Sequence, residues 1–77
     1  SPERLLSSDQ VRQTVTDALQ SLPEDLRTVI TLREIEGLSY DEIAEVIGCP
    51  VGTVRSRIFR AREVIDNRLK AVLQGID

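Results

Sequence analysis

The sequence predicts an all-α fold, a small domain of four helices. Apolar residues recur at helical spacing in four segments, and Ser, Pro and Gly separate these segments at positions typical of helix ends. Long stretches of alternating β-branched residues are missing, and the aromatic residues are limited to Tyr40 and Phe59. With 77 residues, 40% apolar and 30% charged, the chain has the composition of one globular domain spanning residues 1–77.

Two helices are predicted in the first half of the chain. The first runs from about Asp9 to Gln20, where apolar residues follow a pair of serines at helical spacing. The second starts at the run Ser21-Leu22-Pro23-Glu24, which has the form of a capping box with proline in the first turn, and Gly37 ends it in a left-handed C-cap. A broad apolar face predicts that this helix is central, and its residues are Leu26, Val29, Ile30, Leu32 and Ile35.

Two further helices are predicted in the second half. A second capping box over residues 39–42 begins a short helix that ends near Ile47. Gly48 provides its C-cap, and a last helix begins at about Pro50 and continues to at least Leu73. Six apolar residues on one face of this last helix are predicted to pack against the rest of the domain: Val54, Ile58, Ala61, Ile65, Leu69 and Val72.

The last two helices and the turn between them match the helix-turn-helix pattern over about residues 39–69. The same caps and the same apolar spacing are equally compatible with a plain pair of angled helices in a small bundle. Helix pattern alone therefore leaves both interpretations open.

The distribution of charge favours a DNA-binding helix-turn-helix. Residues 1–54 contain four basic and ten acidic side chains, a net charge of −6, whereas residues 55–77 contain six basic and three acidic side chains, a net charge of +3. Four of the basic residues fall within eight positions that include no acid, and they lie off the apolar face: Arg55, Arg57, Arg60 and Arg62. Unpaired positive charge of this kind neutralises phosphate, and the planar fork of arginine also fits guanine O6 and N7.

Three other side chains of the last helix suit DNA. Phe59 lies off the apolar face, where its ring suits contact with a thymine methyl group, although packing against a neighbouring helix is an alternative. The Ser56 hydroxyl suits a hydrogen bond with a base edge or with the DNA backbone. Thr53 lies in the first turn, where a hydroxyl and the helix N-terminus favour phosphate.

Two residues outside the last helix are also candidates for the DNA backbone. Arg33 falls within the apolar face of the second helix, where its charge must be paired or must reach water or an anion. Tyr40 begins the third helix, which usually lies across the DNA backbone in this motif. The alternative for Arg33 is an ion pair with Glu42 or Glu45.

The sequence argues against several other classes of function. With one cysteine and no histidine it offers neither a disulfide nor a Cys/His zinc site, and Cys49 is interpreted as a small apolar residue at the turn. Four acidic residues fall in first turns, where they favour the helix dipole, so they are not interpreted as catalytic pairs: Glu24, Asp25, Asp41 and Glu42. We expect no enzymatic activity, no metal and no cofactor. No apolar run is long enough for a bilayer and no secretion signal is present, so we expect a cytoplasmic protein without membrane insertion.

The runs LPEDLR (22–27) and LREIEGLSYDEIAEVIGCPVGTVRSRIFRARE (32–63) resemble region 4 of extracytoplasmic-function sigma factors, close to the sigma-E type. The resemblance covers about Leu22 to Leu69. It implies the C-terminal domain of an alternative sigma factor, which in bacterial transcription initiation binds the minus-thirty-five promoter element, often GGAAC-like in this group. It places base-reading residues at Arg55, Ser56, Phe59 and Arg60. It places residues that hold the DNA backbone at Arg33, Tyr40, Thr53 and Arg57.

The same resemblance implies two protein partners. These are the β flap of the RNA polymerase core and an anti-sigma factor that masks the binding surfaces. A full sigma factor also has an upstream domain that melts the promoter, and this sequence lacks it, so we expect the chain to bind DNA without initiating transcription by itself.

Two rival interpretations remain at the level of sequence. The effector domain of a response-regulator activator has a similar Leu-Ser-x-x-Glu-Ile-Ala start, although the run RSRIFRARE favours a sigma factor. A protein-interaction bundle would use the acidic first half and an apolar tail formed by Val72, Leu73 and Ile76.

Overall fold

Four helices follow one another along residues 7–75, the part of the chain that the computed structural model describes. They are α1 (Ser8–Ser21), α2 (Glu24–Glu34), α3 (Tyr40–Ile47) and α4 (Val51–Gly75). No strand occurs within residues 7–75. The predicted all-α fold of four helices is therefore confirmed.

A capping box starts α1 one residue before the predicted position. The Ser7 hydroxyl accepts a hydrogen bond from the Gln10 backbone N–H at 3.1 Å, and the Gln10 side-chain oxygen accepts one from the Ser7 N–H at 2.8 Å. Each bond satisfies a backbone donor that the first turn of a helix leaves without an intrahelical partner. The reciprocal pair therefore fixes the start of α1.

The predicted capping box at the start of α2 is wrong. Ser21 is the last residue of α1, and its hydroxyl donates to the carbonyl oxygen of Ala18 at 2.7 Å. The N-cap of α2 is Pro23, which forms no side-chain capping bond. Because Ser21 belongs to the preceding helix, its hydroxyl is directed at that helix and not at Glu24.

The end of α2 also differs from the prediction. The helix ends at Glu34, before Gly37, although Gly37 does have the left-handed conformation that was predicted, with φ of 75°. That conformation turns the chain back, and the Leu38 N–H donates to the carbonyl oxygen of Leu32 at 3.0 Å. Ile35 is the C-cap of α2 and is 67% exposed, so the prediction that it belongs to the apolar face is wrong.

The helix-turn-helix has the predicted caps. The Ser39 hydroxyl accepts from the Glu42 N–H at 3.1 Å, while the Glu42 carboxylate accepts from the Ser39 N–H at 2.8 Å. Gly48 ends α3 with φ of 81°, and its N–H donates to the carbonyl oxygen of Ala44 at 2.8 Å. The turn that follows leads into α4 at Val51. These bonds fix the direction in which α4 leaves the turn.

The buried core is wholly apolar among the described residues and draws on all four helices. Its members are Ala18, Leu22, Leu26, Val29, Ile30, Ile43, Val54, Ile58 and Ala61. The N-terminal half of α4 supplies three of these residues, whereas Val72 and Leu73 near its C-terminal end are 36% and 49% exposed. Ile76, the third residue of the predicted apolar tail, lies outside the described residues. None of the four described helices has the length and the apolar composition needed to span a membrane.

Candidate nucleic-acid interface

The face of α4 opposite the core carries the four predicted base-reading residues. At about 100° per residue they span an arc of about 140°, while the buried residues of α4 lie on the other side of the helix. All four side chains are exposed: Arg55, Ser56, Phe59 and Arg60. We call these four residues the outer face. They form one continuous surface on the side of α4 that faces away from the rest of the domain.

Phe59 is 68% exposed and does not pack against a neighbouring helix, which rules out the alternative considered above. Its neighbour in sequence, Ile58, is 1% exposed and belongs to the core, as predicted. An exposed aromatic ring among polar side chains keeps a large apolar surface in water. The ring is therefore available to a partner that approaches the outer face.

Gly52 extends the outer face toward the start of α4. A Cβ atom added at this helical position would meet no atom within 4 Å, so packing inside the domain does not require glycine here. Glycine in a helix nevertheless costs about 0.5–1 kcal/mol relative to alanine. The missing side chain leaves the backbone of the first turn open to close approach from outside.

The hydroxyl groups near the start of α4 differ in their environments. Ser56 is exposed, and its hydroxyl donates to the Thr53 carbonyl oxygen at 3.1 Å, which leaves the oxygen lone pairs free to accept. Thr53 is half-buried in the first turn, where no acidic residue opposes the positive end of the helix dipole. This end of α4 therefore has the electrostatics of an anion-binding helix terminus.

Arg57 lies at one edge of the outer face and is directed toward α2. Its Nε atom is 3.7 Å from Oδ2 of Asp25, and its side chain is 29% exposed. Asp25 stands in the first turn of α2. The predicted backbone-holding residue is thus part of an intramolecular ion pair with a residue that lies 32 positions earlier in the sequence.

Arg62 lies at the opposite edge of the outer face and forms a second ion pair with α2. Its Nε donates to the Glu34 carboxylate at 3.2 Å, and its Nη2 donates to the same oxygen. This hydrogen bond to Glu34 is the main reason why the pKa of Arg62 is raised, and Tyr40 contributes less. The four arginines therefore divide into two tied to α2 and two, Arg55 and Arg60, for which residues 7–75 provide no ion-pair partner.

Arg33 and Tyr40 lie together where α2 turns into α3. The Arg33 Nη1 donates to the Leu38 carbonyl oxygen at 2.9 Å, and the guanidinium carbon lies 5.0 Å from the centre of the Tyr40 ring. Within the described residues Arg33 forms no ion pair with Glu42 or Glu45, so that alternative is wrong. The cation–π contact orders both side chains beside the start of α3.

Cys49 and groups of possible metal ligands are the other candidates for a functional site. Cys49 is half-buried in the turn and packs against the core, in agreement with its interpretation as a small apolar residue. In the part of the chain that the structure describes, no group of three or more His, Cys, Asp or Glu side chains is arranged to hold a metal ion. The outer face of α4 and its two edges are therefore the site with the most distinctive chemistry.

Comparison with known proteins connects this geometry to a family. Residues 12–65 match the family model described as Sigma-70, region 4. The chain is 60% identical over 73 residues to the ECF RNA polymerase sigma-E factor of Escherichia coli (strain K12), and equally so to that of Salmonella typhimurium (strain LT2). These matches cover 95% of this chain and 38% of each relative.

A second type of sigma factor matches equally well. The chain is 62% identical over 74 residues to the RNA polymerase sigma-H factor of Pseudomonas aeruginosa (strain PAO1), which covers 96% of this chain and 38% of that protein. The chain thus spans a little over a third of the length of these relatives. The resemblance to region 4 of extracytoplasmic-function sigma factors is confirmed. Because the family model covers more than half of the sequence, the chain belongs to the Sigma-70, region 4 family.

Proposed function

We propose that this domain binds the minus-thirty-five promoter element as the C-terminal domain of an alternative sigma factor in bacterial transcription initiation. The observation that carries the proposal is the outer face of α4, where Arg55 and Arg60 stand exposed on either side of Phe59, opposite the core. A major groove about 12 Å wide admits an α-helix that presents such a face. Membership of the sigma-70 region 4 family supports the same assignment.

The outer face reads the bases. Arg55 and Arg60 donate to guanine O6 and N7, because the guanidinium fork matches this pair of acceptors. Phe59 contacts a thymine methyl group, which removes from water the apolar surface that it exposes in the free domain. Ser56 accepts from or donates to a base edge, since its hydroxyl lies on the same surface.

Four further residues hold the DNA backbone. Thr53 and the first turn of α4 bind one phosphate through the helix N-terminus. Arg33 and Tyr40 bind a flanking phosphate from the start of α3, where their cation–π contact has already ordered both side chains. Arg57 binds a phosphate beside the outer face.

The family resemblance supports two protein partners. The domain docks on the β flap of the RNA polymerase core, and an anti-sigma factor masks its binding surfaces. Tethering to polymerase raises the effective concentration of the domain at a promoter, which offsets the weak binding expected from a single module with few phosphate contacts. The role is non-catalytic, cytoplasmic and without cofactor, and residues 1–77 act as one domain.

A binding-site selection with the 77-residue chain tests the proposal. Repeated rounds of capture from a pool of random duplexes are expected to enrich one short motif. The same selection with Arg55→Ala and Arg60→Ala should yield a motif with fewer defined positions, because each arginine contributes discrimination at its own base pair. If the native chain enriches no motif from the random pool, the proposed function is contradicted.

A further inference from the structure

We propose that Asp25 competes with DNA phosphate for Arg57 and so lowers the affinity of this domain for DNA. The inference rests on the proposed function and adds a residue that opposes it. Asp25 belongs to α2, outside the helix-turn-helix, and is not among the residues proposed to bind DNA. It acts through Arg57, which lies at the edge of the outer face that is nearest to the start of α2.

The contact between the two residues is an exchangeable one. The distance of 3.7 Å between Arg57 Nε and Asp25 Oδ2 is longer than a hydrogen bond, so the pair is held by charge alone. Both side chains reach water, with 29% of Arg57 and 55% of Asp25 exposed. A pair of this kind is weak, and a phosphate that approaches the edge of the outer face attracts the same guanidinium.

Asp25 does not depend on Arg57 for its own stabilisation. Its Oδ1 accepts a hydrogen bond from the Leu26 N–H at 2.9 Å, and its position in the first turn of α2 places it at the positive end of the helix dipole. When Arg57 moves to a phosphate, the carboxylate keeps both of these interactions. The exchange therefore costs the domain only the weak ion pair.

The second ion pair of α4 behaves differently. Arg62 donates through both Nε and Nη2 to Glu34, which fixes the plane of its guanidinium. Within residues 7–75 Arg57 has no such second bond to Asp25. Of the two arginines at the edges of the outer face, Arg57 is thus the one that is free to exchange its partner.

Affinity measurements with four variants of the 77-residue chain test the inference. The variants are Asp25→Asn, Glu24→Gln, Arg57→Gln and the double variant Asp25→Asn with Arg57→Gln. Each is titrated against one short random-sequence duplex at low salt, with circular dichroism to verify folding. Asp25→Asn is expected to raise the affinity about two- to fivefold, which is the fold-change that corresponds to a surface ion pair.

Glu24→Gln is the matched control. It removes the same charge from the adjacent position, and Glu24 lines the same cleft as Arg57 but forms no ion pair with it among the described residues. Its gain in affinity should be clearly smaller than that of Asp25→Asn. An equal gain would overturn the inference, because it would mean that the net charge of α2 acts on DNA without Arg57.

The double variant shows whether the effect of Asp25 on DNA affinity depends on Arg57. If Asp25 acts through Arg57, then Asp25→Asn raises the affinity in the native background and leaves it unchanged in the Arg57→Gln background. The same gain in both backgrounds, or no gain in either, contradicts the inference. If the native chain binds no duplex at all, the proposed function fails and this inference fails with it. Binding that is insensitive to Asp25→Asn overturns the inference alone.

Discussion

Arg62 on α4 donates through two of its nitrogens to a single oxygen of Glu34 on α2, across 28 residues of sequence. Together with the pair between Arg57 and Asp25, it ties both edges of the outer face to α2. The buried residues of α4 lie between these two ties. Burial of Val54, Ile58 and Ala61 sets the rotation of α4 about its own axis, so that Arg55 and Arg60 face outward, and the ion pair of Arg62 with Glu34 adds to this at one edge.

Glu34→Gln is expected to lower the free energy of unfolding by about 0.5–1 kcal/mol, the range for an exposed ion pair of good geometry. Arg62 and Glu34 are 47% and 50% exposed, so water and salt screen the pair. Urea denaturation measures the loss, with Glu36→Gln as control, because Glu36 is exposed and forms no ion pair among the described residues. Equal stability of the two variants would mean that the pair contributes nothing.

Gly52→Ala and Gly37→Ala are expected to change stability in opposite directions. At Gly52 a Cβ meets no atom within 4 Å, so alanine should stabilise the domain by about 0.5–1 kcal/mol while weakening its binding to DNA. At Gly37 the φ of 75° disfavours any side chain, so alanine should destabilise by about 1 kcal/mol or more. Thermal melts and duplex titrations measure both effects. Unchanged DNA affinity of Gly52→Ala would place the first turn of α4 away from the DNA.

Phe59→Ala and Ile58→Ala separate binding from folding at adjacent positions. Because Phe59 is 68% exposed, its removal should leave the free energy of unfolding within about 0.5 kcal/mol of the native value and should reduce DNA affinity. Ile58 is 1% exposed, and its truncation leaves a cavity that costs about 2–5 kcal/mol. Chemical denaturation and titration on the same samples give both quantities. Native affinity in a folded Phe59→Ala variant would exclude the ring from the interface.

The capping box of α3 predicts a dependence of stability on pH. Hydrogen bonds from Ser39 hold the pKa of Glu42 below its ordinary value of 4.5. The stabilising contribution of Glu42 is therefore fully present above pH 4.5 and is lost as the pH falls through the lower pKa of the folded state.

Glu42→Gln should remove this part of the acid-induced loss of stability. Thermal melts between neutral pH and about pH 3 measure it, and Glu45→Gln on the same helix serves as the control. If Glu42→Gln and Glu45→Gln lose stability equally with acid, the carboxylate of Glu42 has no special role in the cap.

Local signals made most of the fold predictable. The caps at Ser39 and Gly48 depend on bonds to residues three or four positions away, so the sequence carries them in full. The false capping box at Ser21 has the same local pattern, but Ser21 still belongs to α1 and its hydroxyl is used there. When a local pattern fits two helices, it does not reveal to which helix the side chain forms its hydrogen bond.

The outer face of α4 was predictable because it depends only on the helical period and on the position of the apolar residues. The division of the arginines was not, since the partners of Arg57 and Arg62 stand on α2, far away in sequence. Glu34 and Asp25 also resemble any other exposed acid of an acidic segment. Such long-range ion pairs become visible only when the packing of α2 on α4 is known.

The ratio of affinities for the selected promoter duplex and for a scrambled duplex of the same composition tests the central claim most directly. We predict a clear preference of the native chain for the selected duplex. Arg55→Ala or Arg60→Ala should each reduce the binding free energy for that duplex by about 1–3 kcal/mol and lower the ratio. Equal affinity of the native chain for both duplexes, or an unchanged ratio in both variants, would contradict the claim that the outer face of α4 reads DNA sequence.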